Sequence, residues 1–263
     1  MAQIADSVGA YLMTDMAHIS GLVAAGEARD PFAHSHVVTS TTHKSLRGPR
    51  SGVIFSRREG GLNEAVDAAV FPSLQGGPHN HQIAALATAL REASSPDFVR
   101  YIQRVKANAR ALAAELDRLG HTIVTGGTDN HLLLWDLRPE GLTGSKMEAL
   151  LERCGISVNK NTLYGDKSAA SPGGLRLGTP AMTTRGLGEA DFVTVAHFLD
   201  RATGLAVAAQ NRAETRTGAK KLKDFKEELE GDAGVAALGQ EVEAFSQGFF
   251  YPGGGLGGGG TNR

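Results

Sequence analysis

The stretch Val38-Thr39-Ser40-Thr41-Thr42-His43-Lys44-Ser45-Leu46-Arg47-Gly48-Pro49-Arg50 decides how this 263-residue chain reads. It sets one lysine among hydroxyls, a histidine and arginines where an apolar run ends. A lysine there is badly placed for a core. An amine at a strand terminus, desolvated and close to other cations, gives up its proton more readily and can then form a Schiff base with a carbonyl compound. Lys44 is therefore the first candidate for chemistry.

Outward from this stretch, residues 11–14, 36–42 and 51–56 read as three strands separated by loop or turn-rich segments, with helices from about Asn63 and His79. Residues 1–8 resemble the end of an amphipathic helix without a start signal, so the chain reads as opening inside an element. Strands that end in polar residues and alternate with helices imply an α/β sheet with its site at the strand ends. Further on, Phe98, Ile102, Val105, Ala109, Leu112, Leu116 and Leu119 recur at spacings of four and three, the apolar stripe of one long helix. Residues 131–137 and 174–178 read as strands, and 147–153 and 191–207 as helices, which together suggest a smaller α/β domain. The charged stretch 220–230 reads as a solvated helix face. The expected division is 1–95, 96–250 and a glycine-rich tail, 251–263, that reads as disordered.

Composition excludes several classes. With 27 basic and 28 acidic residues the chain offers no electrostatic reason to bind nucleic acid or an acidic membrane, and aromatics make up only 6%. No window reads as long and apolar enough to span a bilayer, and no signal or transit peptide is recognisable. Cys154 is alone, so no intrachain disulfide is expected. No metal site is expected either, because His79 and His81 lie two apart and no HExxH occurs. GxSxG, Walker A and GxGxxG patterns are missing too.

The remaining candidates gather around the lysine. Asp15, at the end of the first strand, fits a helix cap, a core-edge carboxylate, or the acceptor for a protonated pyridinium, with position alone favouring the cap. His18 fits either a loop histidine or a group near a cofactor's phenolic oxygen. Thr41 and Thr42 offer hydroxyls, although threonines also simply favour strands. His43 would face away from Lys44 on an extended backbone, so a turn is expected there. Arg50 fits a phosphate or ring-hydroxyl contact, or a solvated cation. Gly76 and Gly77 precede a helix and fit an anion-holding loop or a plain turn. Arg176 sits within a short apolar strand, where its guanidinium needs a substrate carboxylate or an internal acidic partner.

Taken together, residues 15–21, 37–50, 71–78 and 175–181 closely resemble the serine hydroxymethyltransferase family, in order along nearly the whole chain, and residues 159–162 and 221–230 resemble its eukaryotic branch. The resemblance implies a fold-type-I enzyme, with the later part of the large domain and a smaller C-terminal domain. It implies pyridoxal 5'-phosphate as cofactor, tetrahydrofolate as co-substrate, and interconversion of serine and glycine. By matching positions, Lys44 would carry the cofactor, Asp15 would pair with its ring nitrogen, and His18 would lie beside it. His43 and Thr41 would tune the site, Arg50 would support the cofactor region, and Arg176 would bind the substrate carboxylate. Gly76 and Gly77 would reach the phosphate of a partner subunit's cofactor, implying a homodimer or homotetramer, and Asn161 and the loop around Ser168 would meet folate.

The resemblance also carries a departure. Family members would hold roughly two hundred further residues ahead of the matching part, a size in keeping with two-domain chains. The expectation is a chain that is inactive or weak alone, either pairing with a full-length protomer or serving as an interaction module, or else an incomplete gene model of the same enzyme. The family's compartments, cytoplasm or organelle (mitochondrion), leave location open.

Overall fold

A computed structural model describes residues 1–252. The chain forms two compact units, residues 1–103 and 104–263, which divide within one long helix. The expected glycine-rich tail lies outside the described residues from 253 onward.

The first unit holds α1 (Ala2–Ser7), β1 (Met13–Asp15), α2 (Ser20–Ala24), β2 (Val37–Thr41), β3 (Gly52–Ser56), α3 (Leu62–Ala68), α4 (Asn80–Ala93) and the start of α5 (Pro96–Arg118). Its sheet has the order β1-β2-β3. The pair β1–β2 is parallel, with Asp15 opposite Thr39, and β2–β3 is antiparallel. The parallel pair brings the polar ends of β1 and β2 to one side, as a site at strand ends requires. The core here is small: Leu22, Leu46, Ala93, Phe98 and Ile102.

The second unit holds the rest of α5, β4 (Thr122–Ile123), β5 (Leu132–Asp136), α6 (Gly144–Arg153), β6 (Asn159–Asn161), β7 (Gly174–Gly178), α7 (Pro180–Thr184), α8 (Glu189–Thr217), α9 (Leu222–Glu228) and α10 (Ala233–Gln247). Its four strands are ordered β4-β5-β7-β6 and are antiparallel throughout. Trp135, Leu175, Met147, Leu150, Phe192, Phe225 and Leu238 meet in one large core. The α5 stripe behaves as its spacing predicts, with Val105, Ala109, Leu112 and Leu116 buried.

Three expectations need correction. The helix expected at 191–207 runs from Glu189 to Thr217, because Arg212 pairs with Glu228 and Asp232, and Arg216 with Glu227 and Glu228, across its last turns. This helix is also long and apolar enough by composition to cross a membrane, contrary to the sequence reading. Its apolarity comes from small residues buried in the unit's core, among them Ala196, Ala202, Ala206 and Ala209. The stretch 220–230 is not a purely solvated face, since α9 buries Phe225 completely.

Candidate active site

Lys44 stands on a tightly closed turn after β2. Gly48 N–H donates to the Thr42 carbonyl at 2.7 Å and Arg47 N–H to the Lys44 carbonyl at 2.9 Å, so the chain does turn at His43. The Thr42 hydroxyl donates to the Pro49 carbonyl at 2.6 Å. That hydroxyl closes the turn instead of facing the chemistry. Arg47 adopts a left-handed φ of 64°, and its guanidinium carbon lies 4.4 Å from the centre of the Tyr101 ring. A non-glycine residue in this region is uncommon and persists when its surroundings hold it there.

Ser45 fastens the turn to the loop after β1. Its hydroxyl donates to the His18 carbonyl at 2.8 Å and accepts the Gly21 N–H at 3.0 Å. The approach is so close that a Cβ on Gly21 would lie 2.3 Å from the Ser45 carbonyl oxygen. Thr42, Ser45 and Leu46 are buried, while Lys44 is exposed. Among the described residues Lys44 is not buried, so the sequence expectation of a desolvated amine is not met there.

Asp15 is not a helix cap. The residue preceding α2 is Ile19, and Asp15 instead accepts the Ala17 N–H at 2.8 Å and the Thr39 hydroxyl at 3.0 Å. The Ala17 bond, then the Thr39 bond, hold its carboxyl below the usual carboxylate range against the opposing effect of burial, and the charges of Lys44 and His18 add smaller contributions in the same direction. Asp15 is therefore a fixed anion within the electrostatic reach of Lys44 and His18. His18 itself is exposed.

Two buried polar atoms on residues close to Lys44 in the chain, Thr41 Oγ1 and His43 Nδ1, have no hydrogen-bond partner among the described residues. Such orphans are rare in native interiors, and a bound group is one of the ways in which their hydrogen bonding is completed. Arg50 is exposed, and its carbonyl accepts from Gln82 Nε2 of α4 at 3.0 Å. Gly76 and Gly77 are exposed ahead of α4, and a Cβ on either would meet nothing within 4 Å. Among the described residues, no close contact requires glycine there.

In the second unit, Arg176 lies half-buried on β7 between Leu134 of β5 and Asn159 of β6. Among the described residues no carboxylate pairs with it, so the internal ion pair considered from sequence is not formed. Asn161 pairs opposite Gly174, and its side chain donates to the Thr162 carbonyl at 2.8 Å. Ser168 is exposed in the loop between β6 and β7, where its hydroxyl accepts the Ala170 N–H at 3.2 Å. Sequence reasoning passed over Thr39, Ser45, Arg138 and Asp166. Only Thr39 left a trace, two residues before Thr41 on the same strand face.

A model of the serine hydroxymethyltransferase family matches residues 1–199. The chain belongs to the serine hydroxymethyltransferase family. It is 53% identical to the cytosolic serine hydroxymethyltransferase of Oryctolagus cuniculus, over 96% of this chain and 55% of that protein. It is 52% identical to serine hydroxymethyltransferase 4 of Arabidopsis thaliana, over 95% of this chain and 55% of that one. Identity to the mitochondrial serine hydroxymethyltransferase of Candida glabrata is 48%, over 95% and 55%. The chain spans about half the length of the curated relatives it matches, and the family includes cytosolic and mitochondrial members. This is a fold-type-I family, in keeping with the mixed α/β architecture.

Proposed function

We propose that this chain carries the lysine-bearing and carboxylate-binding parts of a serine hydroxymethyltransferase site, serving the interconversion of serine and glycine with transfer of the one-carbon unit to tetrahydrofolate. The observation that carries this reading is the closed turn that presents Lys44 beside an ionised Asp15 and two orphaned polar atoms, Thr41 Oγ1 and His43 Nδ1. That donor set fits pyridoxal 5'-phosphate. When bound, the cofactor supplies an electron sink for the bonds at the substrate's α-carbon.

The chain's own residues would divide the remaining work. The Lys44 amine would hold the cofactor covalently and be released as a free amine when the substrate's amine takes its place. The Asp15 carboxylate, kept charged by Ala17 N–H and Thr39, would hold a proton on the ring nitrogen. His18 would flank the ring, and the Thr41 hydroxyl and His43 Nδ1 would find their missing partners in the reacting groups. Arg50 would support the cofactor region. Arg176 would fork onto the substrate carboxylate, which explains an unpaired guanidinium in an apolar strand. Asn161 and Ser168 would contact folate. Gly76 and Gly77, where an added Cβ would meet nothing within 4 Å, would approach the cofactor phosphate of a second subunit.

That last assignment makes the working form a homodimer or homotetramer, or a pairing with a full-length protomer, in the cytoplasm or an organelle. The exposed apolar side chains of the first unit, Tyr11, Met13, Phe71 and Leu74 among them, favour assembly over a solitary chain. The experiment is to add pyridoxal 5'-phosphate to the purified chain and record visible absorption. A band present in the wild type and lost in Lys44→Ala is expected; no band in the wild type refutes cofactor binding by this chain.

A further inference from the structure

One carboxylate closes the β6–β7 connection. Asp166 Oδ2 accepts the N–H of Leu163 and the N–H of Gly173, each at 2.8 Å, so both ends of the loop hang on a single oxygen. These bonds, Gly173 first, hold the Asp166 carboxyl below its usual range. Arg138, two residues past the end of β5, braces it. Its Nε and Nη2 fork onto Asp136 at 2.9 and 2.7 Å, its Nη1 donates to the Tyr164 carbonyl at 3.0 Å, and Nη1 lies 3.7 Å from Asp166 Oδ1. Asp136 is the last residue of β5 and stands opposite Gly174 of β7.

The packing leaves no slack. A Cβ on Gly173 would lie 2.8 Å from Arg138 Cγ and Cδ, and one on Gly174 would lie 2.7 Å from Leu163 Cγ. The three side chains thus wrap the glycine pair from which β7 starts, and Arg176 follows two residues later. Arg138 is nearly half exposed, so its ion pairs add little to stability. Their effect is geometric, because a planar fork fixes direction where an ammonium would not.

We propose that Arg138 and Asp166 are positioning residues for the amino-acid substrate: they fix the point at which β7 leaves the loop and thereby aim the Arg176 guanidinium at the substrate carboxylate. The proposal rests on the reading of Arg176 given under Proposed function. Asp166→Ala, Asp166→Asn, Arg138→Lys and, as control, Arg176→Lys are compared in the full cofactor-treated chain by amide hydrogen exchange in β7 and by glycine titration calorimetry. Asp166→Ala should speed exchange of the Leu175 and Leu177 amides and weaken glycine binding, each about tenfold, the scale set when amide donors lose their acceptor. Asp166→Asn should restore both, since its carbonyl oxygen still accepts two N–H groups. Arg138→Lys should weaken glycine binding without recovering the fork, whereas Arg176→Lys should lose glycine with β7 exchange unchanged. Wild-type β7 exchange in Asp166→Ala, or wild-type glycine affinity in Asp166→Ala while Arg176→Lys loses it, overturns the proposal. If glycine binds to neither wild type nor variant, the reading of Arg176 falls, and exchange alone judges whether Asp166 positions β7.

Discussion

His121 is clamped between two carboxylates, and the clamp should make the second unit lose stability as pH rises. The residue follows α5, with Nδ1 3.0 Å from Glu140 Oε1 and Nε2 3.1 Å from Asp200 Oδ1. Both contacts are good only when both ring nitrogens carry protons, that is, in the imidazolium form. Burial is the largest single influence on this ring and pushes its pKa down, but the bonds to Glu140 and Asp200 and their charges outweigh it, and the net displacement is upward from 6.5. A folded pKa above the unfolded one stabilises fully below the unfolded value and is lost as pH climbs through the folded value. The window therefore opens at about pH 6.5 and extends upward. Deprotonation turns one charge-assisted bond into a lone pair facing a carboxylate. A bond of that kind is worth about 1.5–3 kcal/mol, and solvent screening at the partly exposed Asp200 reduces it to about 1–2 kcal/mol. At about 2–4 °C per kcal/mol for a domain of this size, Tm should fall by about 2–8 °C between pH 6 and 9. Trp135, the only tryptophan, touches the His121 ring edge-on at 4.8 Å, so its near-ultraviolet dichroism reports the melting of this region. His121→Gln, which keeps one donor and has no titration, should lack this slope. Equal pH slopes in wild type and variant, or a Tm that rises with pH, would refute the reasoning.

Two further outcomes follow from close packing. Gly21→Ala would drive a methyl to 2.3 Å from the Ser45 carbonyl, so the Lys44 turn must shift; a loss of about 1–3 kcal/mol in urea unfolding and of the visible cofactor band is expected, and an unchanged band would count against the role of this contact. Asn108 is buried and donates to the Thr183 hydroxyl at 2.8 Å and the Leu187 carbonyl at 3.0 Å, so Asn108→Ala should lower stability by about 1–3 kcal/mol by leaving an acceptor unpaired, measured as a reduced denaturant midpoint with unchanged slope.

What could be read from sequence was whatever rests on local pattern. The α5 stripe, β2, β5 and β7 show their periodicity directly, and Lys44 stood out because its neighbours are polar where an apolar strand ends. The short strands β4 and β6 have almost no pattern of their own; Thr122–Ile123 and Asn159–Asn161 are strands because β5 and β7 pair with them. The helix α10 has a weak pattern because alanine and glycine dilute its buried Val235, Leu238 and Val242. In the site, residue identities were legible and partnerships were not. Asp15 looks like a cap from sequence, and only the β1–β2 register shows that Thr39, twenty-four residues away, binds it. The pairing of Arg138 with Asp166 is equally invisible, as it depends on a hairpin closing over two glycines.

Core and chemistry are joined differently in the two units. In the first, Leu22 and Leu46 belong to the five-residue cluster that is its core, and they adjoin Gly21 and Ser45, the contact that holds the Lys44 turn. Removing either leucine leaves a cavity worth about 2–5 kcal/mol next to the contact that holds the Lys44 turn, so stability and lysine placement there vary together. In the second unit the Arg138–Asp166 brace stands at the sheet's end, outside the large cluster around Trp135, Met147 and Phe192. Its loss leaves that core intact. The strand β7 can therefore be loosened without unfolding its unit, whereas the lysine turn cannot be disturbed without weakening the small core it adjoins.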